Sequence, residues 1–134
     1  MRAVSVTLLL CSAALTACGL AVQSPDLFLL TRSAPGQHLE LLVNDGGTIR
    51  CDGGSSKPLS NHLLIRARVL ATDLDKDAKA RLSLPASRGS LFTYTIKLQG
   101  GTISFPDTAA AQHHELSEAE LFAVQAAQGA CGLA

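Results

Sequence analysis

Several groups of residues have types and spacings that could do chemistry. Asp73, Asp75 and Asp77 alternate as the first ligands of a calcium loop do, which would supply hard oxygen donors. The register fails further on: Ala78 stands where the loop needs glycine, and Leu84 where it needs a bidentate acid. Interleaved with Lys76 and Lys79, the three acids read instead as the solvated, salt-bridged face of a helix. His113-His114-Glu115 offers two imidazoles and a carboxylate without a fourth local ligand, and His38 and His62 are isolated, so no metal site is assigned. No serine lies in a Gly-x-Ser-x-Gly elbow. Asp52-Gly53-Gly54-Ser55-Ser56-Lys57 lacks the spacing of a phosphate-binding loop. The expectation is a protein with no catalytic residue and no cofactor.

The cysteines carry more information. Met1-Arg2-Ala3 supplies one side-chain positive charge, and Val4 to Leu15 follows as an uncharged, mostly apolar stretch. That order is the pattern of a secretory signal, and the stretch is too short to span a membrane. Leu15-Thr16-Ala17-Cys18 resembles the bacterial lipobox, in which small residues enter a protease cleft and the cysteine thiol becomes a thioether to diacylglycerol. The resemblance implies cleavage before Cys18, lipidation of Cys18 and a membrane anchor on the extracytoplasmic face. A plain secretory signal cut after Ala21 is the alternative. With Cys11 removed and Cys18 acylated, Cys51 and Cys131 remain as one pair in an oxidising compartment. The reading is a disulfide between them.

Residues 1–17 are thus assigned to a lipoprotein signal peptide, 18–25 to a short lipidated tether, and 26–134 to one domain of ordinary size. Eleven basic and eleven acidic residues balance, the basic ones are scattered, and there is one tyrosine and no tryptophan. This composition argues against a nucleic-acid partner.

The elements that must position any site follow from periodicity. Asp26 to Thr31 is a continuous apolar run suited to a buried strand, and His38 to Val43 alternates. Asn44-Asp45-Gly46-Gly47 is a hairpin turn returning through Thr48-Ile49-Arg50-Cys51. Ser60 or Asn61 caps an amphipathic helix running to about Leu82, with Leu63, Ala67, Leu70, Leu74 and Ala78 on one face. Leu91 to Leu98 is a strand that turns at Gln99-Gly100-Gly101 and returns through Thr102 to Phe105. Ser117 with Glu120 reads as a capping box, and Leu116 with Leu121 as its hydrophobic staple, at the start of a last helix ending near Gly129. The expected fold is α+β: an antiparallel sheet of about five strands in β-ββα-ββα order, two helices packed on one face, and one disulfide. Gly-Gly-Thr-Ile occurs at 46–49 and again at 100–103, which leaves open a duplicated ββα unit or two similar turns of separate origin.

The stretches Leu42 to Cys51, Ala71-Thr72-Asp73-Leu74, Thr93-Tyr94-Thr95-Ile96 and Ala130-Cys131-Gly132-Leu133 together resemble a set of small secreted proteins of actinobacteria. That resemblance implies export and a fold, and no activity. The order of elements is similar to emfourin-type inhibitors of secreted metalloproteases and, more distantly, to the subtilisin-inhibitor-like family, whose usual second disulfide is missing here. No inhibitory residue carries over from either.

The functional expectation is a non-enzymatic cell-surface lipoprotein that binds a protein partner, an extracellular protease being one version. A structural or accessory protein of an envelope complex is the alternative, and an enzyme or metal carrier the third. Loops 33–37, 52–58 and 106–115 are the candidate contact segments, because they are polar and lie between elements.

Overall fold

The computed structural model describes residues 25–133, together with Val22. The signal peptide 1–17, Cys11, the lipidated Cys18 and all but the end of the tether lie outside the described residues.

Six strands form one antiparallel sheet: β1 Asp26–Ala34, β2 Gln37–Asn44, β3 Thr48–Cys51, β4 Ser56–Pro58, β5 Thr93–Leu98 and β6 Gly101–Pro106. Their order across the sheet is β4-β3-β2-β1-β5-β6, so the first strand is central. Among the described residues there are three α-helices, α1 Asn61–Asp73, α2 Asp75–Lys79 and α3 His114–Gly129, with a 3₁₀ turn at Asp107–Ala111. The fold is the α+β arrangement that the alternation of strand and helix periods implies.

Period-two alternation decides which side chains meet the helices. Phe28 and Leu30 of β1, Leu39, Leu41 and Val43 of β2, Ile49 of β3, Tyr94, Ile96 and Leu98 of β5, and Ile103 and Phe105 of β6 are all buried in one cluster. The helices meet them with Leu63, Ala67, Leu70, Leu74 and Ala78, the five positions their spacing selects, and with Leu116, Ala119, Phe122, Ala123 and Ala126. Alanines on the inner face of α3 bring it close to the sheet, where Phe122 packs edge-on against Phe28 at 5.5 Å between ring centroids. Glu40, Arg50, Thr95, Lys97, Thr102 and Ser104 fall on the opposite face of the strands, with Leu29 and Leu42 paired among them, and no helix among the described residues covers it. One wet face is the ordinary condition of an antiparallel sheet.

Both edges are blunted. β4 has three residues and ends in Pro58. Along β6, Leu82 accepts from Ser104 N and Leu84 N donates to Ser104, each at 2.9 Å, so the connection from α2 covers that edge.

Cys51 at the end of β3 is bonded to Cys131 just beyond α3, across a sequence separation of 80. The bridge pins the C-terminal end of α3 to the sheet, as the cysteine count implies.

Four details differ from the sequence reading. The loop 52–58 contains β4, because Arg50 ties back to Gly53 and Gly54 and turns the chain alongside β3. The first helix is broken at Leu74 and stops at Lys79 rather than Leu82, where Arg81 adopts a φ of 54° that a helix cannot continue. The strand read as Leu91 to Leu98 begins at Thr93. The capping box at Ser117 does not form. Helix α3 begins at His114, and Ser117 N donates to the His113 carbonyl at 3.1 Å. Leu116 is fully buried as a residue of the helix itself, whereas Leu121 is 43 % exposed and staples nothing.

The repeated Gly-Gly-Thr-Ile marks two hairpins that are not copies of one unit. β2 and β5 both run antiparallel to β1, yet β3 lies outside one and β6 outside the other, on opposite sides. With helices on the same face, the two ββα units have opposite handedness, and no rotation superposes them. The glycines also serve different needs. Gly47 has φ +90°. A Cβ on Gly101 would lie 2.0 Å from the Ala78 carbonyl oxygen, so α2 can seat on the hairpin only over a glycine.

Candidate functional site: the loop end of the sheet

The antiparallel register sorts every connection to one end of the sheet or the other. Pro25 enters beside the β2–β3 turn, its carbonyl accepting from Asp45 N at 2.8 Å. That end also holds the β5–β6 turn and the start of α1. Strand β1 then runs nine residues, about 30 Å, to the opposite end. There the β1–β2 turn, the connection 84–92 into β5, and the 3₁₀ turn after β6 gather. The 52–55 loop leaves β3 in the same direction but short of that end, beside Glu40, whose carbonyl accepts from Asp52 N at 2.8 Å.

Asp107 organises this end. Both of its carboxylate oxygens accept from Leu91 N at 3.2 Å, and Oδ1 also accepts from Ser90 Oγ and Thr108 N at 3.0 Å each. What burial Asp107 has works to raise its pKa, but the donors from Leu91, Ser90 and Thr108 outweigh it and hold the carboxyl below its ordinary value. Ser87 Oγ and Thr108 Oγ1 share a further hydrogen bond of 2.6 Å. Within the loop, Ser90 N donates to Ser87 O, and Gly89 at φ +87° makes the turn that puts Arg88 at its corner. The result is a fixed loop whose residues Pro85 to Gly89 are all exposed and whose Leu91 is 71 % exposed.

Behind the loop lies a polar group at the end of the core. The Arg32 guanidinium stacks 5.0 Å above the Phe92 ring. Glu120 reaches in from α3, and its Oε1 is buried without a hydrogen-bond partner among the described residues. Desolvation, and then the Asp107 charge, raise the Glu120 carboxyl from 4.5 to about 7. Tyr94, stacked on Phe105 at 5.3 Å, is raised first by burial and then by the Glu120 charge.

The segments singled out by sequence are distributed unevenly. Loops 33–37 and 106–115 lie at this end, and 52–58 reaches toward it. All three are partly regular structure: 33–37 is the end of β1 and the start of β2 around a Pro35-Gly36 turn, 52–58 contains β4, and 106–115 holds the 3₁₀ turn leading into α3. His113 precedes α3, with Nδ1 3.9 Å from Glu115 Oε1. Among the described residues, no three of His, Cys, Asp and Glu converge as a metal would require. Asp75 pairs with Lys79 at 2.6 Å on the α2 surface. Cys18 lies outside the described residues. The connection 85–91 and its Asp107 clamp were missed. Pro85 and Gly89 reveal a turn in the sequence, but only the register shows that Asp107 faces it.

The other surfaces are largely self-satisfied. A cavity of about 600 Å³ at the chain-entry end is bordered by Asp45, Arg68 and Asp75, yet Arg68 is bonded to Asp45 at 2.6 Å and Asp75 to Lys79. A cleft of about 130 Å³ between α1 and α3 carries the exposed Ile65 and Val69 beside the Arg66–Glu118 pair. No protein-family model, no curated protein and no solved structure matches this chain.

Proposed function

We propose that the protein is a lipid-anchored binding module that holds its loop end away from the membrane and toward a protein partner, an extracellular protease being the version to test first. One observation carries this reading: the chain enters at one end of the sheet, while the β1–β2 turn, the 84–92 connection and the 107–113 segment gather at the other. A lipid on Cys18 leaves a tether of seven residues before Asp26, at most about 25 Å when extended. The chain-entry end is then held near the bilayer and the loop end about 30 Å beyond it. The disulfide and the Asp107 clamp support the same role, since loops fixed in advance lose less freedom on binding.

The test has two arms. Membrane-extracted protein should show acylation and cleavage before Cys18 by intact mass, with a further gain of two hydrogens on reduction of the disulfide. The purified full chain should then inhibit at least one enzyme of a panel of secreted serine and metalloproteases, stoichiometrically. A first residue beyond Cys18 removes the anchor. Inhibition of no enzyme in the panel removes the protease version.

A further inference from the structure

The clamp on the 85–91 loop fixes the backbone at a residue whose side chain contributes nothing to the core. Among the described residues Leu91 is the most exposed of the large apolar ones, at 71 %, yet its backbone N–H is held by both oxygens of Asp107. An unconstrained surface leucine needs no such restraint. With its backbone already held, it gives up only side-chain freedom when a partner covers it, which favours it as an anchor residue. Arg88, exposed at the corner of the same loop, is its one charged side chain, and no carboxylate lies within ion-pair distance of it among the described residues. The exposed Ile65 and Val69 of α1 lie instead beside Arg66, a cation already paired with Glu118.

We infer that Leu91 and Arg88, held by Asp107, form the anchor of the partner interface, and that the partner is a folded protein with an apolar pocket edged by a carboxylate. This rests on the binding-module reading and adds to it the contact residues and the chemistry of the surface they fit. A bilayer is not the favoured occupant. The loop lies at the end opposite the chain entry, and it pairs one leucine with one arginine, too little apolar area for insertion.

The experiment places a benzophenone-bearing amino acid singly at positions 91, 36, 55, 65 and 102 of the full-length chain and irradiates intact cells. The expected result is a discrete protein adduct from position 91, at least tenfold above that from 65 or 102. With that protein identified and purified, Leu91→Ala should raise Kd at least tenfold. Arg88→Glu should weaken binding more than Arg88→Ala. Asp107→Ala should weaken it severalfold with far-UV circular dichroism unchanged, because Leu91 is still present but no longer fixed. Protein adducts from 36 or 55 but not 91 overturn the anchor and leave the binding module standing. Adducts from 65 or 102 alone overturn the anchor and the loop-end placement. Lipid adducts at 91 overturn the choice of a protein partner. Adducts at none of the five positions overturn both readings.

Discussion

Replacing Glu120 by glutamine should make the protein more stable at alkaline pH and change it little in acid. Glu120 Oε1 sits buried and unpartnered at the end of the core, with Asp107 close enough to act on it. Desolvation is the larger cause of its raised pKa and Asp107 the smaller. Between pH 4.5, where the unfolded chain releases this proton, and about pH 7, where the folded chain does, the folded state binds more protons. Stability from this group is therefore complete below about pH 4.5 and is lost as pH rises through about 7. The full shift corresponds to about 3 kcal/mol at about 1.4 kcal/mol per unit. Glu120 is only partly buried, and water screens part of that, leaving about 1–2 kcal/mol. Glutamine keeps the shape and never ionises. At pH 8 Glu120→Gln should gain about 1–2 kcal/mol, about 5–10 °C in Tm for a domain of this size, and at pH 4.5 the two proteins should unfold together. Urea unfolding followed by far-UV circular dichroism and by emission of the single tyrosine, Tyr94, measures this at pH 4.5, 6 and 8. Subtracting wild type from variant at each pH cancels the titrating groups that do not interact with Glu120, leaving its own contribution and its coupling to Asp107 and Tyr94. A variant that is no more stable at pH 8, or a difference that does not grow between pH 4.5 and 8, would refute the argument.

Other outcomes follow from single contacts. Cys51→Ala with Cys131→Ala removes a cross-link closing a loop of about 80 residues and should cost about 4–5 kcal/mol in chain-entropy terms, read from denaturant midpoints. Gly101→Ala places a methyl against the Ala78 carbonyl and should cost about 2–4 kcal/mol, whereas Gly53→Ala, with open space around it, should cost about 1 kcal/mol for its φ alone. Ser60→Ala removes the hydroxyl that accepts from Leu63 N and should cost about 1 kcal/mol. Ser117→Ala should stay within about 0.5 kcal/mol, since Ser117 caps nothing.

What could be read without coordinates was whatever local periodicity encodes. Leu39, Leu41 and Val43 alternate, Leu63 to Ala78 recur at helical steps, and both sets are buried where the pattern puts them. A cap at Ser60 or Asn61 was legible too, and the structure selects Ser60. The errors share one cause, a local signal overruled by a distant contact. Ser117 and Glu120 have the chemistry of a capping box, but burying Leu116 is worth more, and it pulls the helix start back to His114. β4 was hidden because Ser56-Lys57-Pro58 has no strand pattern of its own and pairs only because β3 offers an edge. The candidate site was half legible. Polar loops were visible one by one, but their assembly at one end depends on strand direction. The Asp107 clamp joins residues 16 or 17 positions apart that no spacing rule connects. Glu120 could not be recognised as a desolvated acid while it was read as a cap.

The central place of β1 has a consequence for how the chain is made. A polypeptide emerging from its N-terminus presents Asp26–Ala34 first, and the hairpin with β2 can close at once from residues next in line. The other edge of β1 waits for β5, whose Lys97 pairs with Leu29 across 68 positions. Until that length has emerged, the partial sheet β4-β3-β2-β1 ends in an open β1 edge, displaying Phe28 and Leu30 beside a row of free backbone amides and carbonyls. That interval is when a holding chaperone would matter most, and slowing elongation between residues 45 and 92 should raise the yield of insoluble material more than a pause after residue 106.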